Sequence, residues 1–143
     1  MHWPRRFLLF GALATFATAA ILATSVIPPV LADTYPHATP ERSVPAFWVN
    51  VILNILLAAE AFSFSRVRTG NAGRRRVWVG VSGVVALLLG LALTDAATAL
   101  ATHGSAMRGA VVALWACVCL NTAAGVSMIA ASFMQRTSSP AQG

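Results

Sequence analysis

Four polar side chains within the apolar runs of this sequence have the chemistry to do more than pack. Glu60 and Asp95 carry carboxylates, whereas Asn54 and Asn121 carry amides that both donate and accept hydrogen bonds. A carboxylate in hydrocarbon is costly when unpaired, so it must be protonated, paired or hydrated. These four residues are therefore the candidate intramembrane polar site.

The depths of the two carboxylates limit what they can do together. A rise of about 1.5 Å per residue places Glu60 about 21 Å from Ala46, two thirds of the way through a core about 30 Å thick. Asp95 lies about 27 Å along its run from Val77, near the outer interface. The two carboxylates thus fall in opposite leaflets, too far apart for a hydrolytic pair but compatible with a relay through water.

Two alternatives stay open for Glu60. Arginine side chains from the stretch RVRTGNAGRRR could pair with it from the nearby rim, or water could hydrate it. The other alternative is a coupled site, in which the carboxyl group exchanges its proton for a cation or a substrate.

The composition predicts that these residues are held by transmembrane helices. Of the 143 residues, 57% are hydrophobic and only 10% are charged, whereas about a quarter of the residues in a soluble domain are charged. Long apolar runs predict transmembrane helices, because backbone polar groups in lipid must be satisfied within their own segment. We expect an all-α integral membrane protein, one domain over 1–143 forming an antiparallel bundle of four transmembrane helices at 7–31, 46–65, 77–100 and 109–134.

The basic residues, all of them arginine, predict the orientation of this bundle. Five lie in the connection between the second and third runs: Arg66, Arg68, Arg74, Arg75 and Arg76. Connections rich in arginine stay in the cytoplasm, so this basic loop and both short tails are predicted to be cytoplasmic, in an inner (plasma) membrane. The net charge of +6 then reflects topology and contact with the lipid bilayer, and no nucleic-acid partner is expected.

The first run permits two interpretations. Its basic start and its small residue at Ala32 resemble a signal peptide with a cleavage site. Its unbroken apolar stretch at 7–27 is longer than the core of a signal peptide, which favours a retained helix. Pro28 and Pro29 predict the end of that helix, since proline lacks the amide needed to continue it.

Small residues recur at helical spacing in the last three runs and predict close packing. The stripes are Ser82, Ala86, Gly90, Thr94 and Thr98; Gly109, Ala113, Cys117, Asn121 and Gly125; and Asn50, Asn54, Ala58, Ala61 and Ser65. Helices in lipid associate through such residues, and we expect Asn54 and Asn121 to form hydrogen bonds between helices. Cys117 and Cys119 point about 200° apart on a helix and are interpreted as packing residues.

No cofactor or metal site is predicted. The histidines lie outside the four runs, which argues against haem ligation in the bilayer. No recognised ligand spacing connects the candidate ligands of the connections, which are Asp33, His37, Glu41 and His103.

Two membrane families offer comparisons. In the small multidrug resistance transporters the essential glutamate lies in the first helix, where this chain has no acid. The stretch LWACVCLN, which ends at Asn121, and the stretch SVIPPVL resemble segments of the small four-helix family that includes anthrone oxygenases. That resemblance implies a membrane enzyme acting on an apolar substrate, although Thr122 stands where the family has a basic residue.

Three hypotheses of function follow. The leading one is a non-enzymatic accessory or scaffold subunit that binds other membrane subunits, or a second copy of itself, through helix contacts. The second is a small homo-oligomeric transporter coupled to protons or cations through Glu60. The third is the membrane enzyme just described, with Glu60, Asp95 and Asn121 as its polar contacts.

Overall fold

The computed structural model describes residues 3–34, 43–66, 72–102, 104 and 107–137, and these residues are almost entirely helical. The elements are α1 (Trp3–Ile21), a π-helical segment (Leu22–Val26), α2 (Ile27–Thr34), α3 (Ser43–Arg66), α4 (Ala72–Ala101) and α5 (Arg108–Thr137). Four stretches are long and apolar enough to cross a membrane: Trp3–Ala32, Val44–Arg66, Gly73–Ala101 and Arg108–Met134. The predicted all-α bundle of four transmembrane helices is confirmed.

The first helix does not end at its prolines, contrary to the sequence prediction. The chain widens into the π-helical segment, and the backbone N–H of Ile27 bonds to the carbonyl of Leu22, five residues back. α2 begins at Ile27, so Pro28 and Pro29 fall in its first turn. Each proline removes a backbone hydrogen bond to the preceding turn, and the π-helical segment, where the bond spans five residues instead of four, is where the helix accommodates that loss.

The arginines placed in a loop by the sequence are mostly helical. Arg66 is the last residue of α3, and Arg74, Arg75 and Arg76 belong to the first two turns of α4; Arg68 lies outside the described residues. Arginine is a good helix former, and its long side chain carries the charge to water while the backbone stays helical. We call the end of the bundle that holds these residues the arginine-rich end.

The helices pack unequally. α4 lies along α5, and α1 lies between α5 and α3, whereas α3 and α4 contact each other at few points. Close approach explains the α4–α5 pair: a Cβ atom added at Gly125 would lie 2.8 Å from the carbonyl oxygen of Gly83, and one added at Gly83 would lie 2.9 Å from that of Gly125. The two backbones therefore touch where neither residue has a side chain.

Two apolar clusters form the core, one in each half of the bundle. The cluster nearer the arginine-rich end consists of Leu8, Ala12, Ala61, Val79, Met128 and Ala131. The other is larger and includes Leu22, Val26, Phe47, Val51, Leu93, Leu114 and Cys117. Between them lie buried polar side chains, which we call the polar layer: Thr15, Thr18, Asn50, Asn54 and Asn121.

The buried face of α3 matches the stripe that the sequence predicts, since all five of its residues are buried. On α4 the stripe is buried from Ser82 to Gly90, but Thr98 is exposed. Cys117 is buried and Cys119 is exposed, as their predicted divergence on the helix requires.

Candidate functional site

The polar layer is built around a pair of asparagines one turn apart on α3. The Nδ2 of Asn54 donates to the Oδ1 of Asn50 at 2.6 Å and to its backbone carbonyl at 2.9 Å. The Nδ2 of Asn50 in turn donates to the carbonyl of Leu89 on α4 at 3.4 Å. Hydrogen bonds thus run from one residue to the next, from the interior of α3 across to α4.

Asn121 enters the same layer from α5. Its side chain is fully buried, and its Cβ lies 3.3 Å from the point where a Cβ on Gly90 would stand. Since Gly90 follows Leu89, Asn121 and Asn50 reach neighbouring residues of α4. Neither amide atom of Asn121 finds a hydrogen-bond partner among the described residues, and the same holds for the Oδ1 of Asn54.

The expected hydrogen bonds of Asn54 and Asn121 between helices are thus absent from the described residues. Asn54 bonds within its own helix, and Asn121 faces a glycine that has no side chain to offer. The bond between helices is made instead by Asn50, which sequence reasoning placed on the stripe without assigning it a partner.

The threonines of the layer are satisfied locally. Thr15 donates to the carbonyl of Gly11 at 2.9 Å and Thr18 to that of Ala14 at 3.0 Å. The Sγ of Cys117 lies 3.8 Å from the carbonyl of Thr18, which joins α5 to α1. These groups stabilise the layer but leave no hydroxyl directed at the asparagines.

Glu60 lies closer to the arginine-rich end, between α3 and α4. It is partly buried, and its Oε2 accepts a hydrogen bond from the hydroxyl of Ser82 at 2.9 Å. Sequence reasoning missed this partner, although a signal was present: in an antiparallel helix pair, Ser82 lies at about the depth of Glu60. The arginine nearest to it on α3 is Arg66, whose guanidinium lies 4.7 Å from the centre of the Phe62 ring.

Asp95 does not belong to this site. It lies toward the other end of α4 and is exposed. The structure therefore divides the four sequence candidates: Asn54 and Asn121 share the polar layer, Glu60 lies at the α3–α4 interface, and Asp95 lies apart.

The chemistry available to this arrangement is hydrogen bonding and, at one position, proton exchange. Amides and hydroxyls do not ionise under ordinary conditions, whereas the carboxyl group of Glu60 can gain or lose a proton. Among the described residues, no three histidines, cysteines or carboxylates lie close enough together to hold a metal ion. His37, Glu41 and His103 fall outside the described residues, and the side chain of Asp33 is not described.

The chain was compared with protein-family models, with curated proteins and with solved structures, and none of the three comparisons found a match. The four helices make it a small multi-pass membrane protein.

Proposed function

We propose that this protein is a non-enzymatic accessory subunit of an inner membrane, and that it binds a transmembrane helix of a partner protein at the α3–α4 interface. One observation carries the proposal: α3 and α4 contact each other at few points, and Glu60, Ser82 and Asn50 span that contact with hydrogen bonds. Polar side chains hold helices together in lipid where close packing does not. A further helix that binds at an incompletely packed polar interface can add both packing contacts and hydrogen bonds.

The distribution of arginines supports the orientation of this subunit. The start of α1, the end of α3 and the start of α4 bring Arg5, Arg6, Arg66 and Arg74 to one end of the bundle. By the positive-inside rule, the proposed subunit has this end and both tails in the cytoplasm.

The stripes of small residues give no support for a partner, because they already pack the helices of this bundle. Gly83, Gly90 and Gly125 lie at the contact between α4 and α5. The support for an accessory role therefore comes from the α3–α4 interface and from the buried polar side chains of the described residues, which are mostly amides and hydroxyls.

Native mass spectrometry of the protein extracted from its own membrane in a mild detergent tests this proposal. We expect a foreign subunit at fixed stoichiometry. Glu60→Leu should release it, Glu60→Gln should keep it, and Asp95→Leu serves as a control because Asp95 lies outside the interface. A lone monomer or homo-oligomer in the wild-type extract would overturn the accessory role.

A second candidate function rests on the same carboxyl group. Glu60 lies between α3 and α4, which contact each other at few points, and its partner Ser82 is a neutral hydroxyl. Such a group can exchange a proton for a cation or substrate, as a small coupled transporter requires. Purified protein in vesicles that contain a pH-sensitive dye should then carry protons in exchange for a cation. Glu60→Gln should abolish this proton flux. Asp95→Asn, the control, should keep it.

The membrane-enzyme hypothesis stays a prediction from the resemblance around Asn121. Oxidation of a hydrophobic phenol by the purified protein, and its loss in Asn121→Ala, would favour it over both candidates above.

A further inference from the structure

α1 and α3 enclose an apolar groove on the outer surface of the bundle, with a volume of about 580 Å³. Its floor is formed by two buried alanines, Ala12 and Ala58. Its walls are large exposed side chains: Leu13, Phe16, Ile55 and Phe62. We call it the α1–α3 groove. Since every residue that lines it is apolar, whatever fills it must present hydrocarbon.

Among the residues that the structure describes, positive charge flanks the groove at the arginine-rich end. Arg5 lies one helical turn before the lining residue Leu9, and Arg66 lies one turn after Phe62, so each continues a face that lines the groove. Both arginines are exposed. Side chains on a helix lean toward its N-terminus, so Arg66 leans back along α3 toward the groove, whereas Arg5 leans away from Leu9 toward the end of the bundle. Its guanidinium accordingly lies 4.7 Å from the centre of the Phe62 ring.

A second arginine and aromatic pair marks the same end. The guanidinium of Arg6 lies 5.6 Å from the centre of the Trp3 ring, and tryptophan is the residue that favours the headgroup level of a bilayer. The apolar groove therefore ends at the depth where lipid phosphates lie. Hydrocarbon along its length and a phosphate at its end belong together in one class of molecule.

We propose that the α1–α3 groove binds an anionic phospholipid, with an acyl chain against Ala12 and Ala58 and the phosphate between Arg5 and Arg66. Anionic lipids are enriched on the cytoplasmic side of membranes, which is the side that the arginine-rich end is proposed to face. A neutral headgroup would leave the two guanidinium groups without a full counter-charge. A transmembrane helix of a partner would offer no phosphate at this depth.

The proposal is tested with phosphatidylglycerol and phosphatidylcholine of identical acyl chains, added to the delipidated protein in a mild detergent. Bound lipid is counted by native mass spectrometry, and the affinity is read from the rise in the melting temperature. We expect phosphatidylglycerol to bind more tightly. Arg5→Gln with Arg66→Gln should weaken that binding about 25-fold, on the basis of about fivefold for each arginine near the headgroup.

A matched pair of variants separates the groove from charge in general. Arg74→Gln with Arg76→Gln removes the same charge from the same end of the bundle, but both residues belong to α4 and neither lines the groove. We expect this pair to keep the affinity of the wild type within about twofold. Equal losses in the two pairs would overturn the proposal, because the lipid would then respond to net charge alone.

A second matched pair tests the apolar part of the site. Ala59 lines the groove and is exposed, so Ala59→Phe should fill the groove without disturbing the fold. Ala92→Phe is its control, since Ala92 is an exposed alanine on α4. Loss of phosphatidylglycerol in Ala59→Phe alone supports the proposal. Equal binding of both lipids by the wild type, or a dimer that only Ala59→Phe dissociates, would overturn it.

Discussion

α4 packs against α5 and against α3, but it uses different residues for the two contacts. Toward α5 it presents Gly83, whose backbone approaches Gly125 so closely that neither position has room for a Cβ atom. Toward α3 it contacts its neighbour at few points. There the hydroxyl of Ser82 bonds to Glu60, and the carbonyl of Leu89 accepts from Asn50.

The difference indicates that the two interfaces are stabilised by different interactions. Lipid is as apolar as leucine, so helices in a bilayer are held together by close packing and by hydrogen bonds rather than by hydrophobic burial. The α4–α5 pair uses the first means, which is strong only while the fit is close. The α3–α4 pair relies on the second, because side chains such as those of Glu60 and Ser82 bridge two backbones that contact each other at few points.

The largest expected effect is the loss of that close fit. Gly125→Ala places a Cβ 2.6 Å from the Cγ of Leu87 and 2.8 Å from the carbonyl oxygen of Gly83, so the helices must move apart. We expect the free energy of unfolding to fall by about 1 to 3 kcal/mol. The midpoint of thermal unfolding in detergent micelles measures this change.

Gly109→Ala is the matched control for that prediction. A Cβ at Gly109 meets nothing within 4 Å, and alanine favours a helix over glycine by up to about 1 kcal/mol. This variant should be as stable as the wild type or slightly more so. Equal midpoints for Gly125→Ala and Gly109→Ala would contradict the importance of the close fit.

A smaller effect is expected when a serine is replaced by alanine, and the same substitution can be made in each of the two interfaces. Ser82→Ala removes the hydroxyl that donates to the Glu60 carboxyl group, and we expect a loss of about 1 to 2 kcal/mol. Ser132→Ala removes a hydroxyl that donates to the backbone carbonyl of Arg76, between α5 and α4, at 3.0 Å. There close packing remains, so we expect about 0.5 kcal/mol.

Chemical unfolding of the two serine variants in mixed micelles measures these losses side by side. Glu60→Gln keeps an oxygen that accepts from Ser82 and should lie between the wild type and Ser82→Ala. A larger loss of unfolding free energy for Ser132→Ala than for Ser82→Ala would mean that hydrogen bonds matter more at the α4–α5 interface. The proposed difference between the two interfaces would then be wrong.

The elements of the fold could be predicted because a bilayer allows few alternatives. Each apolar run must satisfy its own backbone, so it must be a helix and must span. The continuation past Pro28 could not be predicted, because it depends on the π-helical segment, whose Leu22 and Val26 are fully buried against other helices. The sequence likewise does not predict that Arg74 is helical, because α4 begins at Ala72, before the apolar run itself starts.

For the candidate site, the sequence predicts which face of a helix is buried, but it does not predict which residues of two helices face each other. The spacing of Asn50 and Asn54 places both on the buried face of α3, and they are buried. Which residue faces them is decided by the rotation and the offset of the neighbouring helices, which no single-helix pattern contains. For that reason the sequence does not reveal Ser82 as the partner of Glu60, and it predicts a hydrogen bond for Asn121, which instead faces Gly90.

The smallest expected effect is that of a substitution at Asn121, which we compare with one at Asn54; both side chains are fully buried and they differ in their contacts. Asn54→Leu removes the donor to Asn50 and leaves the Oδ1 of Asn50 without that bond, so we expect a loss of about 1 kcal/mol. Asn121→Leu, of similar shape, removes an amide that no described residue bonds, so the midpoint of unfolding should stay constant or rise. Thermal unfolding of both variants under identical conditions gives the comparison. A loss in Asn121→Leu as large as in Asn54→Leu would show that this amide has a partner in the working protein. The polar layer, and not only the α3–α4 interface, would then be the place to search for a bound molecule.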